Sequence, residues 1–290
     1  MSYKRTDDNI KSTAEKKLFD HINSVEKNSV LNFTKRSPLR YPGGKTRGVE
    51  YITSFFPKNL DTLLSPFFGG GSIELFIAAT GTKVFGYDIF LPLVEFWQCL
   101  TGDPKKLSKE VEKFFPLPKH KFYELQTTQT KFKTKFERAA VYYVLNRSSF
   151  SGATLSGGMS PAHPRFTHSS IERLKEFYNP NILIEKSDFK QSLLKHPFTF
   201  TYLDPPYLIE SSLYGKKGDA HKDFEHEELA KILKKREHWI LSYNDCSTIR
   251  DLYAGFNILI PNWKYGMSND KMSKEILIFS EDLKINLSNN

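Results

Sequence analysis

From Leu60 onward, apolar runs short enough for strands alternate with stretches of helical spacing. LDTLLSPF reads as a strand, GGGSIELFIAAT as a turn running into a helix, TKVFGYD as a second strand, and LPLVEFWQCL returns to the helical period. A βαβα start of this kind predicts parallel strands joined by right-handed crossovers. Between Thr101 and Asn179 the pattern changes to Lys-rich helices interleaved with aromatics (KHKFYELQTTQTKFKTKFERAAVYYVLNRSSF). A polar Gly/Ser/Pro tract, SGATLSGGMSPAHPRFTHSS, follows. The strand signal then resumes in NILIEKSD and FTFTYLDPPY, with a helix in EHEELAKILKKR and further strands in HWILSYND and EILIFS. The pattern predicts an α/β sheet domain over 37–100 and 180–290, interrupted by a helical insertion over 101–179. Residues 1–36 are a charged N-terminal extension with a short helix around Ala14 to Val25.

Composition narrows the partner. A chain of 290 residues with 39% hydrophobic positions, 24 Phe and 14 Tyr buries a sizeable core. The net charge of +9 points to a polyanion, with nucleic acid the leading candidate. Two cysteines, Cys99 and Cys246, do not make a disulfide framework or a zinc site, and the eight histidines show no ligand spacing, so no metal is expected. No apolar stretch reaches bilayer length, and the charged N-terminus lacks a signal core. An intracellular, non-secreted chain without a membrane partner is expected.

RYPGGKT, Arg40 to Thr46, ends like a phosphate-binding loop. The glycine such a loop needs five places earlier is replaced by Leu39, and the preceding NFTKRSPL is no buried strand, so the nucleotide-triphosphatase reading is weak. The richer signal is the strand ending in Asp204-Pro205-Pro206-Tyr207, because ligands of open α/β sheets bind at the carboxyl ends of strands. Two successive prolines fix the backbone and remove two donors, leaving rigid acceptors beside a carboxylate. That set suits an exocyclic amine on a base: Asp204 and the Pro205 carbonyl accept its two N–H groups, and Tyr207 stacks on the ring. The plainer reading of four such residues is a turn after a strand. SPFFGGGSIEL lets a backbone approach a ligand closely, but Glu74 stands where a dinucleotide fingerprint has its third glycine. Asp88 follows Gly69 by about 20 residues, the separation at which an acid meets ribose hydroxyls; its plainer reading is a helix cap. An adenosine ligand without a pyrophosphate satisfies both observations.

Taken together, LRYPGGKT, PFFGGGS, GYD, the NRSSFSG tract and DPPY resemble the Dam-type (D12 class, α-arranged) DNA adenine-N6 methyltransferases, over about Pro38 to Ser280. The resemblance implies a Rossmann-like S-adenosylmethionine-dependent methyltransferase sheet with an inserted, mainly helical target-recognition domain, acting on a flipped adenine in double-stranded DNA. It implies S-adenosylmethionine contacts from Tyr41, Gly43, Lys45, Phe68, Gly69, Gly71, Asp88, Asp188 and Asp204, with Asp204, Pro205 and Tyr207 catalytic. In the insertion, Asn146, Arg147 and Phe150 match an NR-x-x-F start. Arg147 and Arg165 are the candidates for guanine edges or phosphates, Lys133 and Lys135, with Lys131 and Arg138, for backbone charge, and Lys216 for an opened strand. For each lysine alone, a solvated basic face is the plainer reading. Asn244 resembles a structural turn element. Ser65 and Phe90 depart from the family pattern, which often has an acid before the glycine-loop proline and Asn two places after the ribose acid. Cytosine N4 and RNA adenine share the hydrogen-bond logic, but Asp204 stands where cytosine enzymes usually carry serine. An idle DNA-binding homologue is the remaining alternative. The residues fix no oligomeric state.

Overall fold

The structure is a computed structural model and describes residues 33–160, 165–208, 224–261 and 275–283. The helix expected around Ala14 to Val25, and Lys216, lie outside the described residues.

Seven strands form one sheet: β1 (Thr62–Ser65), β2 (Lys83–Asp88), β3 (Ile182–Lys186), β4 (Thr201–Leu203), β5 (Trp239–Asn244), β6 (Asn257–Leu259) and β7 (Glu275–Phe279), in the order β3-β2-β1-β4-β5-β7-β6. The first five are mutually parallel, and β7 runs antiparallel to both β5 and β6. Period-two side-chain alternation builds both faces of this sheet. Leu63, Ile240, Leu277 and Phe279 enter one hydrophobic cluster, while their chain neighbours Leu64, Leu241, Ile276 and Ile278 enter the other. Both faces are therefore covered, as parallel sheets require.

Between α1 (Val49–Thr53) and β3 the helices are α2 (Ser72–Ala78), α3 (Leu91–Gly102), α4 (Pro104–Glu112), α5 (Lys119–Thr128), α6 (Lys135–Ser148) and α7 (His168–Lys175). Their starts are written locally. Pro104 opens α4, whose Asp103 cap accepts from the Lys106 N–H at 2.9 Å, and Thr134 with Glu137 and Thr167 with Ser170 form capping boxes for α6 and α7. Later come α8 (Phe189–Lys195), α9 (His226–Leu233) and α10 (Ser247–Leu252). Among the described residues no helix is long and apolar enough to cross a membrane.

The helical segment expected as an insertion shares its core with the sheet: Leu107, Phe122, Leu125 and the buried face of α6 belong to the same cluster as Leu63 and Ile240. Phe96 of α3 stacks on Tyr143 of α6 at 5.6 Å, and Glu95 accepts two bonds from Arg138, at 2.5 and 2.8 Å. The change near 101 is thus one of secondary structure, and no packing boundary accompanies it.

Candidate active site

Strand order places the chemistry. Because β1 and β4 are neighbours and the chain leaves them toward opposite sides of the sheet, their carboxyl ends flank the switch point where a crevice opens. The glycine loop leaves β1, Asp88 ends β2, Asp188 follows β3, Asp204 follows β4 and Asn244 ends β5, so five sequence-predicted residues or loops share one edge. Since β7 runs the other way, its first residue, Glu275, lands on that same edge, paired with Asn244.

The glycine loop is held by backbone geometry. The Gly69 N–H donates to Asp88 Oδ2 at 3.1 Å, and Trp97 Nε1 donates to the Gly69 carbonyl at 3.0 Å. Asp88 Oδ1 accepts from the Phe90 N–H at 2.9 Å, while the residue at the cap position of α3 is Phe90, so Asp88 joins the loop to β2 and is not that helix's cap. Burial raises the Asp88 carboxyl above its ordinary range, against the pull of these N–H donors. Tyr41 lies across the loop: a Cβ on Gly70 would come within 2.6 Å of the Tyr41 Cβ, and one on Gly69 within 3.0 Å of its ring. The loop is bare of side chains so that Tyr41 can cover it, and Gly71 in the left-handed region turns the chain into α2. Phe68 differs from expectation. Its ring is buried against Trp97 at 5.2 Å and over Gly86, so its side chain is core and only its backbone is left to border a ligand. Asp188 Oδ1 caps α8, accepting from the Gln191 N–H at 2.9 Å.

Ser65, where the family often has an acid, donates to Glu74 Oε1 at 2.7 Å. The carboxyl missing from the end of β1 is thus supplied by α2. Burial pushes Glu74 up to about 7.

The corner after β4 is held by charge. Lys45, 2% exposed, donates to both Asp204 oxygens at 2.7 and 2.8 Å, to the Tyr207 hydroxyl at 2.7 Å and to the Gly43 carbonyl at 3.1 Å. Gly43, at φ 76, makes the turn that brings this carbonyl under the ammonium. Glu275 Oε1 lies 3.4 Å from the same ammonium and accepts from the Tyr207 hydroxyl. Burial raises the Asp204 carboxyl, with Lys45 pulling the other way and Glu275 adding to the rise. The Tyr207 ring has Tyr243 at 6.0 Å, and the next residue is clamped by Asn244, which accepts from the Leu208 N–H at 3.0 Å and donates to its carbonyl at 2.9 Å. Lys45 is therefore a partner of the acid rather than of a phosphate.

The NRSSF segment has a task that its sequence does not announce. Asn146, buried near the end of α6, accepts from the Arg40 N–H and donates to the Arg40 carbonyl, both at 2.8 Å. Arg147 donates to the Arg165 carbonyl at 2.8 and 3.1 Å and to that of Pro38 at 3.4 Å, and Arg40 donates to the Ser149 carbonyl at 2.8 Å. The end of α6 thus grips the residues that precede Tyr41 and Lys45. Arg147, expected at a base edge or phosphate, has its guanidinium committed to carbonyls here. Arg138 is likewise paired with Glu95. Lys133 and Arg165 are exposed, and Lys135 donates to Gln98 Oε1 at 3.0 Å.

Glu74 and Glu275 were not legible as site residues, and Asn146 was legible only as part of the NR-x-x-F match and not as a clamp on Arg40. Glu275 carried no signal at all, since a glutamate opening EILIFS reads as an ordinary strand start. Among the described residues no group of His, Cys, Asp and Glu is arranged to hold a metal.

A sequence model described as D12 class N6 adenine-specific DNA methyltransferase matches residues 41–267. The chain is 23% identical over 228 residues to the Type II methyltransferase M.CviBI of Paramecium bursaria Chlorella virus NC1A, covering 75% of this chain and 86% of that protein. It is 26% identical over 231 residues to Modification methylase StsI of Streptococcus sanguinis, covering 70% of this chain and 33% of the relative. Against Type II methyltransferase M.FokI of Planomicrobium okeanokoites it is 25% identical over 249 residues, covering 74% and 37%. The chain thus spans most of the viral relative and about a third of each bacterial one.

Proposed function

Because the chain belongs to the D12 class of N6 adenine-specific DNA methyltransferases, we propose that it methylates the amine of an adenine flipped from a short duplex target, with S-adenosylmethionine as donor. The observation that carries this reading is the Asp204 carboxylate at the switch point, next to a proline pair that offers carbonyls and no N–H groups. Asp88, Asp188 and Asp204 on one edge, with the buried ammonium of Lys45 beside them, suit a ligand that is cationic at its reacting end and carries ribose hydroxyls; a triphosphate would be repelled. Tyr41, Gly43, the loop from Phe68 to Gly71, Asp88 and Asp188 would hold that ligand. When bound, it supplies an electrophilic methyl on a sulfonium.

The protein's part is to make a poor nucleophile reactive. An aromatic amine delocalises its lone pair into the ring; Asp204 and the Pro205 carbonyl, each accepting one N–H, favour a pyramidal nitrogen whose lone pair is released for in-line attack. No enzyme nucleophile is needed. Tyr207 meets the flipped base with the ring face turned from Tyr243, a contact of roughly 1–3 kcal/mol. Lys133, Lys135 and Arg165 approach phosphates, with Lys216 beyond the described residues, and Arg147 orders the loop that carries Arg165. The helices from Pro104 to Lys175 form the target-recognition part, and the chain works inside the cell, where its DNA is. The relatives are named Type II methyltransferases and a modification methylase; a modification role beside a restriction endonuclease is proposed on that likeness.

Tritiated S-adenosylmethionine and duplex DNA from a strain without adenine methylation test this. Label in N6-methyladenine is expected; label in cytosine or RNA alone, or none, refutes it. Asp204→Asn should slow transfer by about 10²–10³ or more, and a near-normal rate would remove Asp204 from its role.

A further inference from the structure

The corner holds more negative charge than an ion pair needs. Lys45 satisfies Asp204 through both oxygens, yet a second carboxylate, Glu275, stands 3.4 Å from the same ammonium with its side chain about nine-tenths buried. Its Oε2 is buried and has no hydrogen-bond partner among the described residues. An unpaired buried acceptor on a charged group is costly. Nor is Glu275 an isolated neighbour. The Tyr207 hydroxyl accepts from Lys45 and donates to Glu275 Oε1, so acid, ammonium, phenol and second acid form one connected path.

Two features give the extra carboxylate a use. First, Asp204 with both oxygens on an ammonium is a weak acceptor for the hydrogens of an amine, because Lys45 already draws on its charge. Second, one ammonium against two carboxylates leaves a net negative charge, which offsets the positive charge that develops on the amine nitrogen as it takes the methyl.

We infer that Glu275 is a positioning residue that takes over the Lys45 ammonium when the target amine reaches Asp204, releasing the catalytic carboxylate to accept while keeping the corner's charge. The inference rests on the proposed role of Asp204. The move required of the Nζ, from 3.4 Å to hydrogen-bond distance, is less than about 1 Å, well within the swing of a four-carbon stem. Burial, with Asp204 and Glu275 adding to it, drives the Tyr207 hydroxyl far above its ordinary range, so it stays a donor to Glu275 throughout.

Glu275→Gln keeps the shape and removes the charge. With tritiated S-adenosylmethionine and the same adenine-unmethylated duplex DNA, its single-turnover transfer rate should fall by about tenfold or more, while the dissociation constant for S-adenosylmethionine and the KM for DNA stay within about twofold. A merely structural role would move affinity and stability along with the rate. If Asp204→Asn abolishes transfer and Glu275→Gln transfers at the wild-type rate, the inference fails and the reading of Asp204 stands; if Asp204→Asn is itself unimpaired, that reading fails. Should Glu275→Gln not fold, a crystal structure of the wild-type protein with S-adenosylhomocysteine and a duplex carrying the mapped target decides. Lys45 within hydrogen-bond distance of Glu275 and off one Asp204 oxygen supports the inference. Lys45 still on both Asp204 oxygens, with the adenine amine in place, overturns it.

Discussion

The loop after β1 and the corner after β4 lie side by side at the switch point and hold their polar groups in opposite ways. In the loop, the Gly69 N–H donates to the Asp88 carboxylate and the Gly69 carbonyl accepts from the Trp97 indole, and missing side chains let Tyr41 close over it. The corner is fixed by charge: one buried ammonium faces two carboxylates, and one oxygen is left without a partner among the described residues. A surface meant to hold a ligand gains from satisfied, neutral geometry, which costs nothing to keep rigid. A surface meant to change the reactivity of an amine needs charge that is not already neutralised. On the proposed function, binding and chemistry are divided between two neighbouring strand ends.

Breaking the corner should show the larger effect. Lys45→Met leaves two carboxylates without their counter-ion and should destabilise the fold by about 3–5 kcal/mol, measured by urea unfolding at neutral pH. The loss should shrink as the pH falls, since the Asp204 carboxyl, raised by burial, takes a proton and the repulsion goes. A loss that does not vary with pH would mean that the ammonium acts by packing alone.

Asn146→Ala attacks the support shared by both regions. It strands the buried N–H and carbonyl of Arg40, for a cost of about 1–3 kcal/mol. Because Arg40 precedes Tyr41 and Lys45, S-adenosylmethionine affinity and transfer rate should fall together. Equilibrium dialysis and single-turnover assays that showed only a stability loss would separate the clamp from the site.

The smallest effect belongs to Glu74 under the loop. Its folded value of about 7 lies above the ordinary carboxyl value of 4.5. The stability tied to its protonated form is full below pH 4.5, falls away as the pH climbs toward about 7 and is gone above it. Glu74→Gln keeps an acceptor for Ser65 and should flatten that dependence, leaving the variant more stable than wild type by on the order of 1 kcal/mol at pH 8 and equal to it near pH 4. Thermal melts across this range check the sign; a variant less stable at pH 8 would mean that the fold favours the ionised Glu74 and lowers its value instead of raising it.

The division also marks what could be read from the chain. The loop was legible because its signals are local: three glycines, a strand before them, a helix after them, and an acid one strand later. Asp204 was legible for the same reason, a carboxylate next to a proline pair at a strand end. Lys45 was legible as a site residue but not as the partner of Asp204, since the two are separated by 159 positions. Arg147 and Asn146 looked like parts of a recognition element, because a polar pair near a helix end has the same sequence whether it faces DNA or grips a neighbouring segment.

By itself, then, the sequence determined the alternation of strands and helices, the bare loop, and the acids at the strand ends. Each of these depends on side-chain periodicity and turn chemistry within a few residues. Only the tertiary structure decided that β7 runs antiparallel and brings Glu275 to the edge of Asp204, that α2 supplies the carboxyl absent at Ser65, and that α6 holds the segment of Lys45. Those depend on strand order and direction, which set distances between residues far apart in the chain and leave no mark on their neighbours.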